Sequence, residues 1–157
     1  MTKRQFIAAM RQAALASARA SGLPPGVSIA QAALESAWGR SALSRTANNY
    51  FGIKAHARHA VAEFPTSEYE SGKMTRVAAR FAKYSSVAEC FACRDRIITE
   101  SRTYEQVRVL AHDPLAFIAA LAKHWATDPD YAEKLKRVYL DNGLDVLDRE
   151  FAARAIL

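Results

Sequence analysis

The feature of this sequence that most restricts its fold is a change of hydrophobic period along the chain. Apolar residues follow a helical spacing up to about residue 39 and again after about residue 86, whereas in between Val77, Ala79 and Phe81 alternate with Arg76, Ala78, Arg80 and Ala82. A β-strand buries one face with a period of two, whereas a helix needs a period near 3.6. Because Ser71 and Gly72 supply a Gly-containing turn in this middle part, it predicts a β-hairpin with strands over 61–70 and 73–84. We therefore expect an α+β fold, mostly α, in which one small hairpin forms a wall of a cleft.

Two helices separated by a loop are predicted before the hairpin. The first is expected over residues 2–20 and ends before the Gly- and Pro-rich stretch at 21–26. Ser28 and Gln31 have the spacing of a capping box, in which each side chain bonds to the backbone of the first helical turn. The second helix is therefore predicted to begin at Ser28 and to end near Trp38, with Gly39 as its stop.

Three helix start signals follow the hairpin. Ser86 and Glu89 form a second capping-box pattern. Asp113 and Asp128 each precede a proline, which is the preferred order of an N-cap residue and a first helical residue. The helices predicted from these signals lie at 86–99, 114–125 and 129–140. Since no repeat or linker interrupts the chain, we expect residues 1–157 to form a single domain.

The charge of the chain favours an acidic polymer as its partner. Lys and Arg outnumber Asp and Glu by 22 to 16, for a formal net charge of +6 at pH 7, which suits nucleic acid, an anionic membrane or the acidic bacterial cell wall. The basic residues form no long block of the nucleic-acid-binding kind, so we expect no nucleic acid. No stretch reaches the roughly 20 apolar residues of a membrane span. Arg11 and Gln12 cut the N-terminal apolar run too short for a signal peptide, so an amphipathic helix is expected there.

The cysteines and histidines do not indicate a metal ion or a redox centre. Cys90 and Cys93 have Cys-x-x-Cys spacing, but no second pair accompanies them, and we expect small buried thiols within a helix. His56, His59 and Glu63 lie in a polar stretch without helical periodicity, so their spacing orients no ligands. We expect neither a metal nor a cofactor.

Glu35 is the strongest candidate for a catalytic carboxylate, because it lies in the last turn of an otherwise uncharged helix. Apolar surroundings and the negative end of the helix dipole both disfavour an ionised carboxylate and raise its pKa. A carboxylic acid that stays protonated near neutral pH can donate a proton to a leaving-group oxygen. The alternative is that Glu35 lies on the exposed face of an amphipathic helix, and the residues alone leave both possibilities open.

Five segments of the chain share their pattern and order with one known family. The first reads Ser-Ile-Ala-Gln-Ala-Ala-Leu-Glu-Ser-Ala-Trp-Gly-Arg-Ser at 28–41 and contains Glu35. The others are Asn-Asn-Tyr-Phe-Gly-Ile-Lys at 48–54, Thr-Ser-Glu-Tyr-Glu-Ser-Gly at 66–72, Phe-Ala-Lys-Tyr-Ser-Ser at 81–86 and Ala-Thr-Asp-Pro-Asp-Tyr-Ala-Glu-Lys-Leu at 126–135. Together they resemble the motifs of the glucosaminidase family, glycoside hydrolase family 73, which includes the flagellar rod-associated peptidoglycan hydrolase, autolysins and phage lysins.

The resemblance implies a lysozyme-like fold and an endo-β-N-acetylglucosaminidase that hydrolyses the GlcNAc-β-1,4-MurNAc bond of peptidoglycan. Glu35 takes the place of the family's general acid. Glu68 takes the place of a second acidic residue on the hairpin, which in the family is proposed to activate water or to stabilise the oxocarbenium-like state. Glu70 is an alternative, because residues two apart on a strand share a face, but the motif register favours Glu68.

Four further residues are implied as substrate-binding: Asn49, Tyr50, Tyr84 and Trp125. Asn49 and Tyr50 are expected on the floor of the cleft, and Tyr84 either borders the glycan or closes the hairpin onto the helices. Trp125 stands where the family usually has a tyrosine. An indole can stack on a sugar ring and donate its N–H, but it lacks the phenolic oxygen that would orient an acetamido group. A plain core position for Trp125 stays open.

Two other functions stay open from the sequence. A muramidase or lytic transglycosylase would act at the neighbouring bond on the same scaffold, and a non-catalytic cell-wall-binding module would lack the reaction. In each case the partner is the peptidoglycan glycan strand, and we expect a monomer that acts in the periplasm or cell wall. Without a signal peptide, delivery would fall to holin release, to a dedicated secretion system, or to a larger protein of which the chain is a fragment.

Overall fold

The computed structural model describes residues 1–156, with the side chains of Glu68 and Glu70 outside the described part. Its elements, in chain order, are α1 (Lys3–Ser21), α2 (Pro25–Glu35), α3 (Ala42–Ala47), β1 (Ala60–Glu70), β2 (Lys73–Lys83), α4 (Val87–Glu100), a 3-10 turn (Arg102–Tyr104), α5 (Glu105–Arg108), α6 (Pro114–Trp125), α7 (Tyr131–Asp141) and α8 (Leu144–Ala155). The expected α+β class, mostly α with one hairpin, is confirmed.

Helix α2 is buried along most of its length. Every residue from 25 to 33 is buried, and the helix packs against α1, α7 and α8. Its small residues permit this close approach: a Cβ on Gly26 would lie 2.2 Å from the carbonyl oxygen of Leu144 at the start of α8. Glu35, the last residue of α2, is therefore carried by one of the most firmly packed elements of the molecule.

The start of α2 differs from the sequence prediction. The helix begins at Pro25, where the missing N–H of a proline has no consequence. Ser28 and Gln31 consequently lie inside the helix, and the predicted capping box is wrong. Ser28 Oγ instead donates to the carbonyl of Pro24, and Gln31 Oε1 accepts a hydrogen bond from Arg94.

The end of α2 also comes earlier than the predicted end near Trp38. Ala37, Trp38 and Gly39 have φ values of 50°, 59° and 76°, and this left-handed conformation cannot continue an α-helix. Ser36 stabilises the turn, because its Oγ accepts a hydrogen bond from the Gly39 N–H at 2.8 Å. Gly39 thus lies in the turn after the helix, with Glu35 at the last helical position.

The hairpin is confirmed with nearly the predicted bounds. Strands β1 and β2 pair antiparallel from Ala60 opposite Lys83 to Glu70 opposite Lys73. Ser71 and Gly72 have φ values of 50° and 79°, as a two-residue hairpin turn requires.

The start signals of α4 and α6 are confirmed in their N-cap residues. Ser86 Oγ and Asp113 Oδ1 each accept the backbone N–H three residues later. The other bond of the predicted capping box, from the Ser86 N–H to the Glu89 carboxylate, is wrong. The Glu89 carboxylate instead accepts from the N–H and Oγ of Ser85, both at 2.7 Å.

Helix α7 begins at Tyr131, later than predicted. Asp128 does not cap it; its Oδ1 accepts the N–H of Asp130 at 2.9 Å and so closes a local turn before the helix. Helices α3, α5 and α8 are not predicted from the sequence.

The remaining sequence expectations concern α1 and the cysteines. Helix α1 belongs to the fold and buries Phe6 and Met10 in the core. Cys90 and Cys93 are free, buried thiols in α4. Within residues 1–156, no helix combines the length and apolar character needed to cross a bilayer.

Candidate active site

Glu35 makes a hydrogen bond with a residue from a distant part of the chain. Tyr131, the first residue of α7 and only 4% exposed, donates its hydroxyl proton to Glu35 Oε1 at 2.7 Å across a sequence separation of 96 residues. Tyr131 was given no role in the sequence analysis. The signal that could have identified it was its place in the segment 126–135, which resembles a family motif.

The carboxyl of Glu35 experiences two opposing influences. Its burial raises its pKa above the ordinary value, while the hydrogen bond from Tyr131 favours the ionised form and lowers it. The net direction is upward, so the acid form persists to higher pH than in an exposed glutamate. Burial likewise raises the pKa of Tyr131, which therefore remains a neutral donor.

Gly52 borders the other carboxyl oxygen of Glu35. A Cβ at this glycine would lie 4.0 Å from Glu35 Oε2, and the glycine has a φ of +68° that L side chains rarely adopt. Because Gly52 is exposed and carries no side chain, it leaves space beside Oε2. Glu35 Oε1 is thus held by Tyr131, and Glu35 Oε2 adjoins the exposed backbone of Gly52.

Asn49 holds the loop that carries Gly52. Its Nδ2 donates to the carbonyls of Ile53 and Ala82, both at 2.9 Å, and its Oδ1 accepts from the N–H groups of Phe51 and Ile53. At 1% exposure it has no free hydrogen-bonding capacity. These contacts tie the loop to the base of the hairpin, and they favour this structural role of Asn49 over the predicted contact with substrate.

Tyr84 is likewise a core residue. It is 3% exposed, and its hydroxyl donates to Cys93 Sγ at 3.1 Å. Its ring lies edge-on to His59, with centroids 5.7 Å apart. This burial favours the alternative, in which Tyr84 closes the hairpin onto the helices, over a border position on the glycan.

Tyr50 and Trp125 retain exposed surface. Both are half-buried; the Tyr50 ring lies 6.1 Å from that of Phe6, and the Trp125 ring lies 6.4 Å from that of Phe51. Since Phe51 directly precedes Gly52, Trp125 lies next to the loop beside Glu35. These two residues stay candidates for contact with a sugar.

The second predicted carboxylate lies on β1, where the side chains of Glu68 and Glu70 fall outside the described residues. Glu68 is opposite Thr75 in the hairpin register. Positions 64, 66, 68 and 70 share one strand face, and the members Phe64 and Thr66 are half-buried, while 63, 65, 67 and 69 on the other face are exposed. By register Glu68 shares the strand face of Phe64 and Thr66, at a level of the hairpin where its partner Thr75 is exposed.

The base of the hairpin is joined to the loop beside Glu35. Lys54 forms an isolated bridge with Phe81, and the Ala82 N–H donates to the carbonyl of Ile53 at 3.0 Å. Because Gly52 lies in the same loop, the hairpin rises next to the Glu35 site, which is the position required of a cleft wall.

A separate groove of about 1140 Å³ lies between α1, α6 and α8, and Glu35 is not among its lining residues. It contains Asp148, whose burial raises its pKa to about 6. That carboxylate is already occupied, since it accepts from the Gly26 N–H at 2.6 Å and from the Tyr139 hydroxyl at 2.8 Å. Glu35 is therefore a better candidate for the catalytic carboxylate than Asp148, because its Oε2 remains available to a substrate.

Comparison with known proteins shows that this chain is similar to glucosaminidases and peptidoglycan hydrolases. The family model for glucosaminidase, described as mannosyl-glycoprotein endo-beta-N-acetylglucosaminidase, matches residues 11–144. The peptidoglycan hydrolase FlgJ of Salmonella typhimurium is 36% identical over 138 residues, 84% of this chain and 44% of the relative. The exo-glucosaminidase LytG of Bacillus subtilis is 34% identical over 129 residues, 79% of this chain and 46% of the relative. The chain thus spans less than half the length of these two relatives.

A solved structure with a similar fold is the catalytic domain of the autolysin Auto from Listeria monocytogenes. It superposes with a TM-score of 0.81 at 32% identity, and the match covers 90% of this chain and 85% of that domain. The similarity therefore extends over nine-tenths of the chain.

Proposed function

The chain belongs to the glucosaminidase family, and from this we propose that it is a peptidoglycan hydrolase, an endo-β-N-acetylglucosaminidase that cleaves the GlcNAc-β-1,4-MurNAc bond. The observation that carries the proposal is the state of Glu35. Its carboxyl is half-buried with a raised pKa, is held by Tyr131 on one oxygen, and adjoins the exposed Gly52 on the other. This is the arrangement that a general acid needs in order to protonate a glycosidic oxygen.

In the proposed reaction Glu35 transfers its proton to the glycosidic oxygen as the bond to the anomeric carbon breaks. Water adds to that carbon, and its surplus proton leaves to a base or to solvent. The Glu35 carboxylate that remains keeps its hydrogen bond from Tyr131, which stabilises the ionised form. The same contact that limits the pKa of the acid therefore lowers the free energy of its conjugate base.

For the second carboxylate we propose Glu68, with Glu70 as the alternative. The support is the register of Glu68, which shares a strand face with Phe64 and Thr66, in a hairpin joined to the loop beside Glu35. Glu68 would act as a general base toward water or as an electrostatic partner of the oxocarbenium-like state, and assistance by the acetamido group of the substrate is the third route. A Glu68→Gln variant that loses more activity than Glu70→Gln supports this assignment.

Tyr50 and Trp125 are the residues we propose to contact the sugar rings, because both are aromatic and half-buried near the loop of Gly52. The net charge of +6 favours approach to an acidic cell wall. We propose the periplasm or the cell wall as the place of action, since peptidoglycan lies there.

The test is clearing of purified peptidoglycan by the wild type and by Glu35→Gln. The amide keeps the size of the side chain and cannot donate an acidic proton, so we expect the rate to fall by about 100-fold or more. Glu100→Gln is a matched control, because Glu100 is also the last residue of its helix but is exposed. Full activity in Glu35→Gln would refute the assignment of the acid.

The reducing ends of the products, identified by mass spectrometry after borohydride reduction, distinguish the possible reactions. Reducing-end GlcNAc supports the proposed bond, whereas reducing-end MurNAc indicates a muramidase and a 1,6-anhydro end indicates a lytic transglycosylase. Binding to the wall without release of soluble fragments would indicate a non-catalytic binding module and contradict the proposed enzyme.

A further inference from the structure

One face of the hairpin is exposed along its whole length. Positions 63, 65, 67 and 69 of β1 lie on this face together with 74, 76, 78 and 80 of β2, and all eight residues are exposed. It is the reverse of the face that contains position 68. The solvent face of an antiparallel sheet is normally polar, so large apolar side chains on this face are informative.

Two large apolar side chains lie side by side near the tip of this face. Tyr69 is 72% exposed and Met74 is 68% exposed, and the register places the two residues directly opposite each other. Directly opposite residues of an antiparallel pair have their Cβ atoms about 5 Å apart. The phenol ring and the thioether therefore present adjoining apolar surface to solvent.

A cation adjoins this apolar surface. Arg76 follows Met74 by two residues on β2, lies opposite Ser67 and is exposed. It is thus the diagonal neighbour of Tyr69, at about 7–8 Å, a separation that aromatic and long side chains can bridge. We call Ser67, Tyr69, Met74 and Arg76 the tip patch. Its four residues contain one positive charge and no negative one.

The chemistry of the tip patch matches a sugar that carries an acid. An aromatic ring stacks on the apolar face of a sugar, and a thioether adapts to an irregular ligand surface. A guanidinium binds a carboxylate through two parallel hydrogen bonds. Peptidoglycan offers both groups together, because its MurNAc residues carry peptide stems that contain carboxylates.

The tip patch is remote from Glu35. The base of the hairpin, at Ala60, is the end that is joined to the loop of Gly52. Tyr69 follows Ala60 by nine residues, which corresponds to about 30 Å of extended strand. The patch therefore contacts a part of the wall other than the sugar whose bond is protonated by Glu35.

We propose that the tip patch is a second wall-binding site, which holds a peptidoglycan strand other than the one in the cleft. A sugar ring of that strand lies on Tyr69 and Met74, and a stem carboxylate pairs with Arg76. Two contacts with one cross-linked polymer raise the effective concentration of the cleft at the wall. The inference rests on the proposed function for the identity of the polymer.

The test compares a cross-linked substrate with a soluble one. Tyr69→Ala and Arg76→Gln are assayed on purified cross-linked peptidoglycan and on short soluble glycan chains without peptide stems, which fill the cleft but offer no second strand. We expect clearing of the cross-linked wall to fall about fivefold or more in both variants, because one of two linked contacts is lost. Hydrolysis of the short chains should stay within about twofold of wild type, since the cleft is unchanged.

Two further variants serve as controls. Arg137→Gln removes the same charge from an exposed arginine of α7 and should behave as wild type on both substrates. Tyr69→Trp keeps an aromatic platform and should retain the clearing of the wall. Equal losses on both substrates, or full clearing in Tyr69→Ala and Arg76→Gln, would overturn the proposal. So would a dimer of the wild type that Tyr69→Ala dissociates in sedimentation velocity, because the patch would then contact a second copy of the chain.

A binding measurement separates this proposal from the proposed function. In a Glu35→Gln background, the fraction of protein that sediments with the cross-linked wall should fall in Tyr69→Ala and Arg76→Gln and recover in Tyr69→Trp. This readout needs no hydrolysis. A wild type that clears no wall would therefore refute the proposed function, while undiminished sedimentation of the two variants would overturn the second wall-binding site.

Discussion

At the scale of single residues, the bond between Glu35 and Tyr131 yields a pH prediction. The acid form of Glu35 is active, and the bond lowers its pKa, so removal of the hydroxyl in Tyr131→Phe raises that pKa further. The high-pH limb of kcat/KM, which follows the loss of the Glu35 proton, should therefore move to higher pH. We also expect kcat at the optimum to fall by about tenfold, because the carboxyl loses an orienting contact. A pH–rate profile of both proteins measures the two effects.

Tyr139→Phe is the matched control for that profile. Tyr139 is a buried tyrosine of the same helix, and its hydroxyl also donates to a carboxylate, that of Asp148. Its removal should leave the high-pH limb in place. If Tyr131→Phe moves the limb no further than Tyr139→Phe, the contact with Glu35 does not control the acid.

Sequence patterns locate a residue along the chain but not its depth in the fold. Glu35 was predicted because the helix end and its small neighbours are local features. Tyr131 lies in a family-like segment, but no local pattern predicts its contact with Glu35, because that contact spans 96 residues. Asn49 and Tyr84 were placed on the substrate side because they lie in family-like segments, yet their side chains are consumed by contacts with the hairpin base and with α4.

At the scale of elements, α8 supplies the cap that α2 lacks. Pro24 precedes the helix and provides no side-chain acceptor. Asp148 of α8 takes that place, since its Oδ1 accepts the N–H of Gly26 at 2.6 Å. A carboxylate at a helix N-terminus also interacts favourably with the helix dipole. The helix that carries Glu35 is therefore anchored by the last element of the described chain.

This anchor predicts a specific pH dependence of stability. Burial raises the pKa of Asp148 from 3.8 to about 6, so the folded state holds a proton that the unfolded state has already released. The corresponding stabilisation is present below about pH 4 and is lost as the pH rises through about 6. In wild type this contributes a decrease on the order of 3 kcal/mol across that window, and Asp148→Asn should lack it. Urea unfolding at several pH values measures the difference between the two proteins.

Asp141→Asn is the control for the unfolding experiment, because Asp141 is an exposed carboxylate at the end of α7. It should retain the wild-type slope. Equal slopes in wild type and Asp148→Asn would contradict the raised pKa.

The contact between Asp148 and Gly26 also illustrates which elements can be predicted from the sequence. The hairpin and the bounds of α6 follow from local signals, namely alternation with a Ser-Gly turn and an Asp-Pro start. The start of α2 does not, because its capping acceptor comes from α8, more than 100 residues away along the chain. Helix α8 itself was missed, since its buried residues are few, and two of them, Leu144 and Asp148, lie against Gly26 of α2.

At the scale of the whole molecule, the arrangement of elements follows from the packing of α2. The helix is surrounded by α1, α7 and α8, which come from both ends of the chain. The hairpin remains outside this body, attached at its base through Ile53, Lys54 and Asn49. Glu35 lies where the helical body meets the base of the hairpin, so its position depends on both.

The net charge of +6 is likewise a property of the whole molecule, and it predicts salt-sensitive binding to the cell wall. Dissolved salt shortens the range of electrostatic attraction from about 10 Å at 0.1 M to about 3 Å at 1 M. The fraction of the Glu35→Gln variant that sediments with purified peptidoglycan should therefore fall severalfold as the salt concentration is raised over this range. The inactive variant is used so that the wall stays intact. Binding to chitin, an uncharged polymer of GlcNAc, should change little, because contacts with sugar rings do not depend on net charge. Salt-independent binding to both polymers would show that the glycan contacts alone hold the protein on the wall.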